Sequence, residues 1–305
     1  ADGLIVTDCG APCAEFTVAL TNIADGLPAD VTVSQTQLAN GTYVISYFHT
    51  GTGSYSMGIS AGEGGAPVGS NLIGITQEVE VAPGFTDAAA TTVTLSASSV
   101  GAGGLVQLSI AAEDAYGNPQ SYGERYDGDL FTAVAVLQPP SSNLAAPFEV
   151  VRVDNAYQLS GQLTKAGTYE VQVSLGGNLF TTQTVTVAAG PISADGTAVG
   201  GASAAQAGQP LSVTVRPRDE FGNPVDATGV MAVVSVLTPA GTPYIPPGSS
   251  TPLTLQVTPG AGLFTATTSA LTQKGNYIIR AVLTTPGSSR DIEVDDFAVS
   301  VSAGA

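Results

Sequence analysis

The sequence predicts an all-β chain, built as β-sandwiches in tandem that form a rod. Segments of alternating apolar and polar residues end in turn residues along the 305-residue chain, and one strand-and-turn signature recurs three times. The composition agrees, with 37 glycines and 19 prolines and no stretch that has the periodicity of a long amphipathic helix. Alternation of this kind is typical of strands that bury one face.

A strand followed by the same turn occurs twice. Residues 108–119 read LSIAAEDAYGNP, and residues 213–224 read VTVRPRDEFGNP. In both segments an alternating strand leads to an acidic residue, an aromatic residue and Gly-Asn-Pro. Glycine and asparagine tolerate positive φ and proline cannot extend a β-ladder, so Gly-Asn-Pro predicts a turn at the same place in two repeats.

A second signature occurs three times, as an aromatic residue followed by a tyrosine that begins another strand. The pairs are Tyr43 and Tyr55, Tyr157 and Tyr169, and Phe264 and Tyr277. Strand, turn and strand therefore recur in one register. We predict that Tyr55, Tyr169 and Tyr277 occupy equivalent strand positions with buried rings.

Each unit closes on a strand of the same kind, namely EVEVAPG at 78–84, VTVAAGP at 185–191 and FAVSVSA at 297–303. The first two run directly into the next unit, without a flexible Gly/Ser linker, and Pro83 and Pro191 stiffen the joints. We predict boundaries near 84 and 190, which give an incomplete repeat at 1–84 and repeats at 85–190 and 191–305. About 100 residues is the length of a seven-strand sandwich.

The second unit resembles the filamin-type immunoglobulin-like repeat. The resemblance rests on four elements: Asp114 to Pro119, the Phe131 strand, Val153-Asp154-Asn155, and Ala166-Gly167-Thr168-Tyr169. It is good over 86–190, fair over 191–305 and covers only the later strands of 1–85. Bacterial invasin-like repeats share the Asp-Ala-Tyr-Gly-Asn-Pro element. The third unit departs from the pattern with a proline-rich loop from Tyr244 to Pro252, and no calponin-type actin-binding region is present, so actin cross-linking is not implied.

The first unit is short of strands. Phe16 aligns with Phe131, yet two strands precede Phe131 in its unit and only 15 residues precede Phe16. An open sandwich exposes strand edges and apolar core. We expect an edge strand to be completed in trans, by a neighbouring copy, another chain or a segment cleaved from the same precursor. The alternative is that residues 1–15 fold back and cap the edge in cis.

The charge is one-sided, with 25 acidic residues against 8 basic ones and a formal net charge of −17. This surface repels phosphate backbones and anionic headgroups, so we expect no nucleic-acid partner. Basic proteins or cations would be attracted, unless the acidity serves solubility alone. No run of about 18 apolar residues occurs, so no membrane insertion is predicted in this segment.

Two features bear on compartment. Cys9 and Cys13 stand in Cys-Gly-Ala-Pro-Cys, which has neither the ligands of a zinc site nor the spacing of a redox pair. We predict a small-loop disulfide in an oxidising compartment, with two free thiols in the cytosol as the alternative. Asn40-Gly41-Thr42 is a sequon in a predicted hairpin turn, so Asn40 is a predicted glycosylation site of a secreted protein.

No catalytic, cofactor-binding or metal-ligating residues are predicted. His49, the sole histidine, stands at a strand end and is interpreted as exposed rather than as a general base. Acidic pairs such as Glu113-Asp114 and Asp219-Glu220 are interpreted as solvated loop charge, with structural calcium as the alternative. They lack the EF-hand spacing, and the chain has no tryptophan to form a sugar-binding platform.

These features favour a structural or adhesive rod module of an extracellular or cell-surface protein, without catalysis. One alternative is a cytoplasmic filamin-like scaffold that binds peptides by strand addition. Another is a carbohydrate-active or lectin-like sandwich, because the loops of this fold can carry many functions.

Overall fold

The computed structural model describes ten stretches of the chain: 4–6, 15–38, 42–62, 72–120, 130–139, 145–153, 156–260, 262–268, 271–287 and 291–304. These residues form 25 strands and no helix. The prediction of an all-β chain is therefore confirmed. Cys9, Cys13 and Asn40 lie outside the described residues, so the disulfide and the glycan stay predictions.

The first region has two small sheets. Its strands are β1 (Leu4–Val6), β2 (Glu15–Asn22), β3 (Pro28–Ala29), β4 (Thr32–Gln37), β5 (Tyr43–Phe48), β6 (Gly53–Gly62) and β7 (Leu72–Val81). One sheet has the order β1-β5-β4 and the other the order β3-β2-β6-β7.

The second region has nine strands in two sheets. They are β8 (Thr92–Leu95), β9 (Ser99–Gly101), β10 (Leu105–Ala111), β11 (Phe131–Gln138), β12 (Ala145–Pro147), β13 (Glu149–Val153), β14 (Ala156–Gln162), β15 (Gly167–Leu175) and β16 (Asn178–Ala188). The sheets have the orders β13-β14-β10-β8 and β12-β11-β15-β16-β9, with β9 running parallel to β16. Two layers of mainly antiparallel strands in this order form an immunoglobulin-like sandwich.

The third region follows the same plan with one difference. Its strands are β17 (Ala198–Gly201), β18 (Ala204–Gln206), β19 (Leu211–Arg216), β20 (Met231–Leu237), β21 (Thr254–Gly260), β22 (Leu263–Thr268), β23 (Gly275–Thr284), β24 (Asp291–Glu293) and β25 (Phe297–Ser302). Strand β21 pairs with β20 at its start and with β22 further on, so it joins both layers into one sheet. Upstream of β21, the proline-rich insertion buries Tyr244, whose ring packs edge-on against Tyr277 at 5.0 Å.

Each region has its own hydrophobic core. The second core contains 16 buried residues and the third contains 18, whereas the first contains seven of the described residues. Strand alternation explains the cores, since β10 reads exposed-buried throughout and Val106, Leu108 and Ile110 are its buried positions.

The repeated tyrosines are buried as predicted. Tyr55, Tyr169 and Tyr277 expose 4%, 3% and 6% of their surface. Each hydroxyl donates a hydrogen bond to the carbonyl four residues upstream, on Gly51, Lys165 and Gln273. A buried tyrosine that bonds back to the preceding turn is the tyrosine corner of immunoglobulin-like sandwiches, and here it holds the turn before the strand in one shape.

The described residues of the first region include no counterpart of the strands that open the other two. In the second region β8 pairs with β10 and β9 pairs with the closing strand β16; β17 and β18 do the same in the third. No described residue pairs with the corresponding edge of β7. Val79 and Val81 of β7 are consequently half-buried, whereas Val185 and Val187, at the same register, are 0% and 2% exposed.

The strand that contains Phe16 is paired on both sides within this region. Strand β2 pairs with β6 along its whole length but with β3 only through Leu20 and Thr21. Strand β1 pairs with β5, so part of the amino-terminal segment does fold back in cis. The cis alternative is thus met in part among the described residues, and the incomplete repeat at 1–84 stays a prediction.

Candidate functional site

The two Asp-x-aromatic-Gly-Asn-Pro loops lie where one core meets the next. In the first loop the Asp114 carboxylate is 2% exposed and accepts hydrogen bonds from its own loop and from the linker. The Tyr116 and Asn118 amides donate to Oδ1 at 2.9 and 3.0 Å, and the Gly84 amide donates to Oδ2 at 2.8 Å. Asp114 therefore ties the linker to the loop of the second region.

Asn118 continues this connection to the first region. Its side-chain Nδ2 donates to Asp114 and, at 2.7 Å, to the carbonyl of Thr50. Its Oδ1 accepts from the amide of Thr52 at 3.2 Å. Thr50 and Thr52 flank Gly51 in the turn that Tyr55 holds, so one asparagine bridges two regions with both ends of its amide.

The second junction repeats this arrangement atom for atom. Asp219, which is 0% exposed, accepts from the amides of Phe221, Asn223 and Gly190 at 2.9, 2.8 and 2.9 Å. Asn223 donates through Nδ2 to the carbonyl of Thr164 at 2.7 Å, and its Oδ1 accepts from the Ala166 amide at 2.9 Å. We call each set of aspartate, asparagine, linker glycine and turn the junction clamp.

The glycine of each loop makes the clamp possible. Gly117 and Gly222 have φ of 80° and 77°, which folds the loop so that the aspartate faces the next two amides. The following asparagine is then in reach of the aspartate and of the neighbouring region.

The junction clamp lowers the pKa of both aspartates. For Asp114, burial raises the pKa, but hydrogen bonds from the Asn118 side chain and from the amides of Gly84, Asn118 and Tyr116 outweigh it and hold the pKa below its usual value. For Asp219, burial is likewise outweighed by the equivalent donors on Asn223, Gly190 and Phe221. Both carboxylates are therefore held ionised, where each oxygen can accept several hydrogen bonds.

The aromatic residues of the two loops pack differently. Phe221 is half-buried against Gly103, where a Cβ atom would stand 2.5 Å from the ring, and its carbonyl accepts from Nζ of Lys165 at 3.1 Å. Tyr116 is 60% exposed and meets only the edge of Phe48, which is 53% exposed, at a centroid distance of 5.9 Å. The second junction is thus sealed by a ring, and the first is open to water.

The interpretation of Asp114 and Asp219 as solvated loop charge is wrong. Both are buried acceptors of four or more hydrogen bonds, because a loop that folds back on its own amides removes the carboxylate from solvent. Within the described residues no group of three or more His, Cys, Asp or Glu side chains is placed to hold a metal ion.

His49 lies at the first junction and is half-buried rather than exposed. Its Nδ1 is 2.7 Å from the carbonyl of Asp30, and its ring stands edge-on to Tyr55 at 4.7 Å. These contacts hold the His49 imidazole against the ring of Tyr55, beside the turn to which the Tyr55 hydroxyl bonds.

Among the described residues, no helix is long and apolar enough to cross a bilayer.

Sequence reasoning found the loops but missed their role. It assigned Gly-Asn-Pro to a turn, for which asparagine is only one of several suitable residues. The signal it could have used is that the aspartate follows the linker glycine by almost the same interval, Gly84 to Asp114 and Gly190 to Asp219.

Known proteins similar to this chain are found among solved structures. No protein-family profile matches the chain, and no curated protein sequence matches it. Among solved structures the chain is similar to the Escherichia coli adhesin FdeC, at 17% identity over 96% of this chain and 87% of that chain, with a TM-score of 0.49. It is similar to invasin, a bacterial integrin-binding protein, at 16% identity over 95% of this chain and 60% of that chain, with a TM-score of 0.44.

The filamin resemblance is narrower. The filamin domain of Lin-41 is 17% identical, covers 35% of this chain and 98% of that chain, and gives a TM-score of 0.22. The sheet orders and the three cores lead to the conclusion that this chain is an all-β protein of tandem immunoglobulin-like domains.

Proposed function

We propose that the chain is a structural and adhesive rod module of an extracellular or cell-surface protein, and that its three cores are repeats with boundaries near 84 and 190. The junction clamp is the observation that carries the proposal. It occurs at both joints with the same atoms, and it bonds each linker glycine and each upstream turn to the following repeat. A joint held by directional hydrogen bonds sets the angle between repeats, as a spacer requires.

The surface fits the same role. A net charge of −17 keeps a chain with few lysines soluble and favours basic protein surfaces as partners. The predicted disulfide between Cys9 and Cys13 and a glycan on Asn40 would place the rod outside the cell. Mass spectrometry of the non-reduced protein tests this directly. A bonded pair and a glycosylated Asn40 support secretion, whereas two free thiols and a bare Asn40 favour a cytoplasmic scaffold.

Small-angle scattering of the full chain tests the rod. We expect one elongated shape whose maximum dimension is unchanged by dilution. Asp219→Ala together with Asn223→Ala should broaden the distribution of dimensions, because the second junction then becomes a hinge. Asp226→Ala is the matched control, since this aspartate is exposed and bonds only to Thr228. A wild-type chain that scatters as freely jointed beads would show that the clamps do not make a rod.

A second candidate function, strand addition to the first repeat, rests on the edge of β7 with which no described residue pairs. In the other two repeats a short strand runs parallel to the closing strand and places Val100 or Ala205 against the core. In the first repeat the half-buried Val79 and Val81 of β7 correspond to Val185 and Val187 of β16, the closing strand beside which that short strand runs. The partner would be an extended segment with alternating small and apolar residues, from another chain.

A peptide with the sequence of residues 92–101 is a direct probe of this edge. We expect it to bind the full chain, to raise the unfolding temperature of the first repeat, and to protect the Glu80 amide, the counterpart of the Thr186 amide that donates to Ser98, from hydrogen exchange. A peptide of the same composition in scrambled order is the control. If both peptides bind equally, or neither does, strand addition at β7 is ruled out.

A further inference from the structure

The far end of the third repeat carries the groups with which the first and second repeats receive their neighbours. We propose that this end is a docking site for a further immunoglobulin-like repeat, one whose first loop carries Asp-x-aromatic-Gly-Asn-Pro. The inference rests on the geometry of the two junctions, and it names the class of partner that the rod binds at this end.

The receiving half of a junction has three parts. The first is a linker glycine whose amide donates to the aspartate, Gly84 or Gly190. The second is a turn that offers a carbonyl and an amide to the asparagine, as Thr164 and Ala166 do at the second junction. The third is the tyrosine corner that holds this turn.

All three parts recur in the third repeat. Tyr277 pairs with Val299 as Tyr169 pairs with Val185, and counting from these pairs puts Gly304 at the position of Gly190. Gly275 corresponds to Gly167, so the carbonyl of Thr272 and the amide of Lys274 correspond to those of Thr164 and Ala166. The Tyr277 hydroxyl donates to Gln273 just as the Tyr169 hydroxyl donates to Lys165.

The surface that receives the aromatic ring is also formed. Gly103 and Gly208 have φ of 78° and 79° and donate to the equivalent carbonyls of Leu163 and Leu271 at 2.9 and 2.8 Å. Phe221 of the third repeat occupies the space beside Gly103, whereas no described atom lies within 4 Å of a Cβ built on Gly208. Thr272, Lys274 and Gly304 are all exposed. The receiving half is therefore complete, and the described residues leave it open.

The chemistry of the occupant follows from these groups. An ionised aspartate fits the Gly304 amide, a carboxamide fits the carbonyl and amide of Thr272 and Lys274 together, and a flat ring fits the space beside Gly208. Both loops of this type in the chain are already engaged, at Asp114 and at Asp219. A second intact copy consequently cannot supply the motif, and the partner is a different repeat.

An extended chain tests the proposal. Residues 1–304 are followed directly by a second copy of residues 191–305, which reproduces the spacing of the natural joint. Site-resolved hydrogen exchange is then measured at Lys274 and Gly304. Because each amide gains a hydrogen bond, we expect exchange at both to slow about tenfold or more relative to the 305-residue chain.

Two variants test whether the slower exchange comes from the proposed contacts. Asp219→Ala with Asn223→Ala in the appended copy alone should restore fast exchange at Lys274 and Gly304. Gly208→Asn, which tolerates positive φ but fills the space for the ring, should do the same. The proposal is overturned if the appended repeat folds, as judged by protection in its own core, and both amides still exchange as in the shorter chain. Exchange at Ala166 and Gly190 reports the internal junction separately, so a failure here leaves the rod untouched.

Discussion

The two junctions of this chain share one set of hydrogen bonds and differ in what covers it. At the second junction Asn223 is 3% exposed and Phe221 closes on Gly103. At the first junction Asn118 is half-buried and Tyr116 is 60% exposed. The turn that contains Gly103 joins β9 to β10 in the second repeat, and it has no counterpart among the described residues of the first repeat. The motif thus specifies the clamp, while the packing of Phe221 on Gly103 seals the second junction.

The largest effect expected is from removing the sealed aspartate. Asp219→Ala leaves three amides, those of Gly190, Phe221 and Asn223, and the Asn223 side chain without their acceptor, and should lower the free energy of unfolding of the third repeat by about 3 kcal/mol. Asp114→Ala should cost the second repeat about 2 kcal/mol, because water can reach its donors. Native-state hydrogen exchange in the two cores measures both. Equal losses would mean that the seal adds nothing to the clamp.

A pair of glycine substitutions isolates the seal. Gly103→Ala and Gly208→Ala each place a Cβ at positive φ, which costs about 1 kcal/mol. Only Gly103→Ala also pushes against Phe221, so it should cost about 1–2 kcal/mol more. Urea unfolding of the two variants gives the difference. Identical losses would show that Phe221 can move aside freely.

Truncating the aromatic side chains of the two loops compares the sealed second junction with the first. Phe221→Ala removes a half-buried ring and should destabilise the third repeat and its junction by about 1.5 kcal/mol. Tyr116→Ala should cost no more than about 0.5 kcal/mol, since that ring is already mostly in water. Thermal unfolding and exchange at Gly84 and Gly190 report the two effects. A larger loss for Tyr116→Ala would reverse the assignment of the seal.

The smallest expected effect is the loss of stability at low pH. Both aspartates have a pKa below the usual 3.8, so their contribution to stability is fully present above pH 3.8 and is lost as the pH falls below it through the lowered pKa. Protection of the Gly84 and Gly190 amides should therefore decline only below that pH. Asp219→Asn should remove the acid step at Gly190 and leave the step at Gly84. A decline that begins near neutral pH would assign the transition to other groups.

Local patterns were enough to predict the strands and the repeated tyrosines. Alternation is a property of each strand, so Tyr55, Tyr169 and Tyr277 could be placed in the core before any sheet was known. The roles of Asn118 and Asn223 could not be predicted in this way, because their partners stand on the turn of another repeat, at Thr50 and Thr164. The burial of Tyr244 could not be predicted because the proline-rich insertion is polar and turn-rich in sequence, whereas backbone hydrogen bonds with Val236 and Leu253 hold Tyr244 against the core.

The junction clamp also gives the chain a direction under load. Its aspartate, its loop amides and its linker glycine all remain together when the upstream repeat is lost. The bonds that break are those of the asparagine carboxamide to the upstream turn and, at the second junction, the bond from Nζ of Lys165 to the Phe221 carbonyl. When the downstream repeat is lost, the whole clamp goes with it. Neighbouring repeats are therefore coupled unequally. Unfolding that starts in an upstream sandwich stops at Gly84 or Gly190, whereas unfolding that starts in a downstream sandwich also releases the linker that precedes that sandwich. When such a chain is pulled from its two ends, we expect it to lengthen in discrete steps, in an order that the junction clamps set.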